Sequence, residues 1–197
     1  MGEIKSEGII LKITPYKDHH RVIQIFTPTD GMLSLFARGV SKPRLQSLLS
    51  PLSQIEVIYR KKTSDLYFFK EGSTLENHHF LRTEWRLLEA AGKMGIALLQ
   101  TQLPGKAAPE LYKLLLATFK QLPHFEDPTT LVVLFYLKLL TYEGVISWDS
   151  PASFPLPCSN WDELKNLAQT RSFRSHYKHK NIENCIPQLE KLLKELL

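Results

Sequence analysis

The feature that most constrains this chain is a change of period. As far as the mid-seventies, apolar side chains recur at every second position in short runs separated by turn residues. From Leu81 onward they recur at three- and four-residue intervals. Strands gathered before helices, not alternating with them, place the chain in the α+β class. Ile9, Leu11 and Ile13 alternate with Ile10 and Lys12 until Pro15 ends the run. Val22–Phe26 and Met32–Phe36 flank Thr27-Pro28-Thr29-Asp30-Gly31, and Asp-Gly marks a hairpin because glycine enters positive φ without steric cost. Ile55, Val57 and Tyr59 share one face of a further strand, residues 61–64 turn the chain, and Leu66 to Phe69 return it. Five strands without intervening helices are expected to close into a small barrel, since closure removes their exposed edges.

Beyond the strands, Leu81, Trp85, Leu88, Ala91 and Gly95 form a stripe at helical spacing. Pro109 opens a second helix, where its missing N–H costs nothing, and Leu111, Leu114, Leu115 and Phe119 make its apolar face. Asp127-Pro128 opens a third and Gly144 closes it. That helix is apolar nearly all round, so it is expected at the centre of a bundle, with Phe135 and Tyr136 in the core. Residues 147–160 read as a Pro- and Ser-rich loop, Asn160 as a helix cap, and Ile182, Ile186, Leu189, Leu193 and Leu196 as a last amphipathic helix. The expected division is a barrel domain over 1–76 and an all-helical domain over 77–197.

A net charge of +5 permits a polyanionic partner. The apolar run from Leu131 to Leu137 is far short of the ~20 residues that cross a bilayer. Cys158 and Cys185 have no disulfide or redox spacing, which suits a reducing, cytoplasmic setting. There is no P-loop, dinucleotide fingerprint or zinc-hydrolase motif, and Cys158 has no glycine turn beside it, with His176 and His179 distant in sequence. The pairs His19-His20 and His78-His79 point to opposite faces if extended, so no metal site or cofactor is expected. The chain therefore reads as a binder and not an enzyme. Its basic groups are Arg38 with Lys42 and Arg44, Arg60 with Lys61 and Lys62, and Arg21 near Lys17. The first two flank turns, where side chains on a barrel converge on one groove and meet successive phosphates. Tyr16, Tyr59, Tyr67 and Phe69 are available to stack on bases, although alternation sends roughly half of such aromatics into the core. An adaptor whose barrel contacts protein and not nucleic acid is the alternative.

The run from Glu7 to Arg44 resembles the opening of the RecO family. Its parts stand in the same order: Glu7-Gly8-Ile9-Ile10-Leu11, Pro15-Tyr16, Phe26-Thr27 with the Gly31 turn, and Ala37-Arg38-Gly39 leading into basic residues. Leu52 to Ile58, Leu66 to Phe69 and the helices from Leu81 to Gly144 continue the likeness. The resemblance implies a five-stranded oligonucleotide-binding (OB-type) barrel followed by an all-α domain. It further implies a non-enzymatic, nucleoid-associated bacterial protein of DNA repair and recombination. Such a protein binds single- and double-stranded DNA, assists annealing and recombinase loading, and works with RecR and the single-stranded-DNA-binding protein SSB. Arg38, Lys42 and Arg44 match the family's basic stretch and Arg21 matches more loosely; Arg60, Lys61 and Lys62 are added from charge alone. Many members carry a four-cysteine zinc module after the helices. Here only Cys158 stands in that region, so a shortened C-terminal part without zinc is expected. Many also carry arginine before the phenylalanine of the central helix. Here Val133 and Leu134 precede Phe135, which leaves Phe135 and Lys138 as the expected contacts for an acidic SSB tail.

Overall fold

A computed structural model describes residues 2–40, 43–61, 66–149, 161–169 and 182–196. Five strands come first: β1 (Glu3–Tyr16), β2 (His20–Thr27), β3 (Gly31–Ala37), β4 (Gln54–Arg60) and β5 (Leu66–Glu76), with a short helix α1 (Pro43–Leu48) between β3 and β4. Then follow α2 (Trp85–Thr101), α3 (Pro109–Gln121), α4 (Thr129–Tyr142), α5 (Trp161–Gln169) and α6 (Ile186–Lys194). They pack as two compact units: the residues up to His79 with Gln102–Lys113, and Phe80–Thr101 with the residues from Leu114 onward.

In the first unit the sheet closes on itself in the order β1-β2-β3-β5-β4. All pairings are antiparallel except β3 with β5. Hydrogen-bonded neighbours can be followed round the barrel from Thr14 to Val22, Phe36, Phe68 and Arg60. The path returns to β1 at Glu3, the stagger that tilted strands need in order to close. Ile10, Ile23, Ile25, Leu33, Leu35, Ile55, Val57 and Tyr59 fill the interior. The phase of β1 differs from simple alternation. The register slips between Ile10 and Lys12, so Leu11 is an extra residue and Ile10 with Ile13, instead of Leu11 with Ile13, joins the core.

Gly31 fixes the β2–β3 hairpin at φ +64°, while the Thr27 hydroxyl accepts from Asp30 N (3.1 Å) and donates to Gly31 O (3.1 Å). Residues 102–113 cover this end of the barrel. Gly105 N donates to Asp30 O (2.8 Å), Ala108 N donates to Pro28 O (3.1 Å), and the Tyr112 ring packs at 6.1 Å from Phe26. A Cβ on Gly31 would lie 2.4 Å from Lys106 O, so only glycine fits.

In the second unit α4 is buried from Thr130 to Leu137 and again at Leu139 and Leu140, with α2, α5 and α6 packed on it. Its start falls one residue later than expected, with Pro128 in the cap position and Asp127 Oδ1 accepting from Thr129 N (2.9 Å), and Gly144 at φ +75° ends its last turn. On α2 the buried face is Leu87, Ala90, Ala91, Met94, Ala97 and Leu98, whereas Trp85 is 72% exposed. Of the stripe read from Leu81, Leu81, Ala91 and Gly95 are buried and Leu88 half-buried; Trp85 falls outside it because Leu81 belongs to a separate 3-10 turn, His79–Arg82, and the helix begins afresh at Trp85. On α6, Ile186, Leu189 and Leu193 are buried. Among the described residues no helix is long and apolar enough to cross a membrane.

Candidate nucleic-acid interface

Strand alternation that sends Leu35 and Tyr67 inward turns Phe36 and Phe68 outward, and the β3–β5 register sets these two directly opposite each other. Their rings meet edge to face at 5.8 Å. Tyr16, at the end of β1, stands edge to face on Phe36 at 5.6 Å, and the His20 ring lies 5.3 Å from the same phenylalanine. Arg38 follows β3 directly. Its guanidinium sits over both phenylalanines, 5.8 Å from the Phe36 centroid and 5.3 Å from Phe68.

The backbone after β3 holds this arrangement in place. Gly39 turns at φ +64°, Gly39 N donates to His20 Nδ1 (3.4 Å), and Val40 N donates to His19 O (2.7 Å). Arg38 is exposed, with no carboxylate partner among the described residues. Lys17 lies over Tyr16 at 5.6 Å and Lys61 over Tyr67 at 5.8 Å.

Beside the aromatics runs an open groove of about 570 Å³ lined by Arg38, Leu45, Arg60, Lys61, Phe68, Phe69 and Lys70. Two of its cations are engaged by Glu3. One carboxylate oxygen accepts from Arg60 Nε (3.1 Å), from Arg60 Nη2 and from Lys70 Nζ (2.6 Å). These bonds, Lys70's foremost, hold the Glu3 carboxyl below the usual carboxylate range. Cations over aromatic faces beside an open groove can hold a phosphate chain and leave flat surfaces free for bases.

The structure brings Arg38, Arg60 and Lys61 of the expected basic residues to one groove. Arg21 lies off it, half-buried, its Nη1 donating to His20 O (2.8 Å). Lys42, Lys62 and the Arg44 side chain lie outside the described residues, as do Cys158, His176 and His179.

The expected aromatics divide. Tyr16 is 47% exposed, but Tyr59 is completely buried, its hydroxyl donating to Asp30 Oδ2 (3.2 Å), so it cannot stack on a base. Burial, with Asp30 beside it, pushes that hydroxyl well above the ordinary tyrosine range. Tyr67 and Phe69 are half-buried against the core, and Phe69 also lines the groove. Phe36 and Phe68 were not singled out by sequence reading, though the period-two pattern that sends Leu35 and Tyr67 inward points to them.

In the helical unit Phe135 is fully buried. Lys138 is half-buried and donates to Ala168 O (2.7 Å) near the end of α5, with desolvation lowering its pKa. Of the paired histidines, His78 is buried with Nδ1 2.7 Å from Leu52 O. Among the described residues no group of three or more His, Cys, Asp and Glu side chains could hold a metal ion.

A closed five-stranded barrel in this order, with a cationic and aromatic outer face on β3 and β5, is of the oligonucleotide-binding type. The family described as "Recombination protein O N terminal" matches residues 1–78. The chain is 28% identical over 170 residues to the DNA repair protein RecO of Chlamydia pneumoniae, covering 83% of this chain and 67% of that protein. It is 31% identical over 145 residues to the DNA repair protein RecO of Chlamydia muridarum (strain MoPn / Nigg), covering 72% and 61%. With the DNA repair protein RecO of Bacillus pumilus (strain SAFR-032) the identity is 26% over 144 residues, covering 72% and 56%. Residues 1–78 thus match the RecO N-terminal family, and the chain's matches span from about half to two thirds of those relatives' length.

Proposed function

We propose that this chain is a DNA-binding recombination mediator in DNA repair, with residues 1–76 as its nucleic-acid domain and 77–197 as its helical domain. The observation that carries the reading is the Arg38 guanidinium laid over Phe36 and Phe68 at the mouth of a groove that also holds Arg60, Lys61 and Lys70. Phosphates would run along the cations and bases would rest on the aromatics, which gives affinity with little sequence preference. Lys42, Arg44 and Lys62, basic residues near these in sequence, would add phosphate contacts, and Arg21 would add a further one. The chemistry is binding, so the protein needs no catalytic residue or cofactor. Single- and double-stranded DNA, RecR and SSB are the partners this reading carries, at the nucleoid of a bacterial cytoplasm. An SSB tail at Phe135 and Lys138 would have to open a packed helix and replace the bond to Ala168.

The test is a triple variant, Arg38→Ala, Lys42→Ala and Arg44→Ala, titrated with labelled oligonucleotide over a range of salt. Loss of about three phosphate contacts is expected to flatten the log-affinity against log-salt slope by roughly two, at ~0.7 per contact for single strands. Exposed charges contribute little to folding, so melting should be unchanged within about 0.5 kcal/mol per site. Wild-type affinity and slope in a normally folded variant would leave the protein-adaptor reading in its place.

A further inference from the structure

We propose that Glu3 is a built-in competitor for phosphate, its carboxylate holding Arg60 and Lys70 until a nucleic-acid strand displaces it. This rests on the reading of the groove as the nucleic-acid site and adds to it a residue that sets how many cations are free. Four cations line the groove. Arg38 and Lys61 have no carboxylate partner among the described residues, whereas Arg60 and Lys70 converge on a single oxygen of Glu3.

The convergence is built into the sheet. Glu3 lies opposite Arg60 in the β1–β4 register. On β5 the register slips between the Ile58–Glu71 and Tyr59–Phe69 pairs, so Lys70 is the extra residue, and a bulge of this kind re-aims a side chain. A carboxylate and a phosphate present the same acceptor to an arginine fork and an ammonium, so one can replace the other without rearranging the donors. The exchange is easy because the partners are wet: the side chains of Arg60, Lys70 and Glu3 are 56%, 46% and 35% exposed. Pairs of this exposure are weak. A competitor of this kind lowers affinity for any single phosphate but yields to a chain of them, which favours long polyanions over mononucleotides.

The experiment uses the full chain and a labelled oligothymidylate, read by fluorescence anisotropy over a range of salt. Glu3→Gln is expected to bind roughly threefold to tenfold tighter, the range two exposed ion pairs span. Its salt slope should steepen by about 0.7 for the one charge gained. Glu56→Gln is the control: it removes the same charge and frees Lys5, 2.9 Å away, on the same β1–β4 pair but outside the groove. In an Arg60→Ala, Lys70→Ala background the Glu3→Gln gain should vanish. A gain no larger than that of Glu56→Gln would reduce Glu3 to background charge, and weaker binding would make it a positioning residue; either overturns the proposal. If the wild-type chain binds no oligonucleotide, the nucleic-acid reading itself falls, whereas a binding wild type with an indifferent Glu3→Gln variant removes only the competitor.

Discussion

Gly31 and Gly39 share a backbone φ of +64° but not their surroundings, and replacing each with alanine separates two costs that usually arrive together. A Cβ on Gly39 meets nothing within 4 Å, so Gly39→Ala carries only the strain of a left-handed L-residue, about 1 kcal/mol. On Gly31 the same Cβ would sit 2.4 Å from Lys106 O and 2.6 Å from Leu103 O. Relief requires the segment over the hairpin to withdraw, which breaks Gly105 N to Asp30 O (2.8 Å) and Met32 N to Leu103 O (3.4 Å). At about 1 kcal/mol for each bond, Gly31→Ala should cost ~3 kcal/mol in all. Trp85, Trp148 and Trp161 all lie in the helical unit, so tryptophan fluorescence would report on the wrong part of the molecule. Urea titration followed by far-UV circular dichroism, with amide exchange along β2 and β3, reads the barrel instead. Equal losses for the two variants would show that residues 102–106 do not press on the turn, and the account of the covered hairpin would be wrong.

Three further outcomes follow from the geometry. Phe36→Ala together with Phe68→Ala should weaken single-strand binding by tenfold or more, at ~1–3 kcal/mol per stacked base, while leaving the salt slope as it was; a changed slope with unchanged affinity at low salt would contradict the stacking role. Tyr59→Phe should lower barrel stability by about 1 kcal/mol in urea without altering oligonucleotide affinity, because its hydroxyl serves Asp30 inside the unit and not a ligand. Glu3 has a folded-state pKa below its unfolded one, so its ion pairs stabilise the barrel above the ordinary glutamate pKa of about 4.3, and that contribution is lost as pH falls through the lower, folded value. The melting difference between wild type and Glu3→Gln should therefore hold from neutral pH down to about 4.3 and shrink as pH falls from there through the lower, folded value; a difference that grew in acid would reverse the sign and refute the pairing.

The barrel was readable from sequence because period and turn chemistry agree there. Asp30-Gly31 sets one hairpin, Ile55, Val57 and Tyr59 face inward as their spacing demands, and the change of period after β5 marks the start of the helices. What the pattern could not supply were the places where the register slips. Leu11 and Lys70 are single extra residues, and an extra residue reverses the facing of whatever follows on that strand. Alternation drawn through Leu11 therefore misassigns Ile10, and the encounter of Lys70 with Glu3 depends on a β1–β4 pairing across more than fifty residues of chain.

Of the candidate groove, sequence reading reaches Arg38, Arg60 and Lys61 but not the phenylalanines beside them. A basic residue after the third strand points to Arg38, whereas the aromatics that sequence offers beside it, Tyr16, Tyr59, Tyr67 and Phe69, do not include Phe36 and Phe68. Tyr59 is buried with Asp30 accepting its hydroxyl, whereas Phe36 and Phe68 lie half-buried on the outer face in contact with one another and with a cation. On the proposed reading Phe36 and Phe68, half-buried outside the filled barrel, form the face on which bases rest.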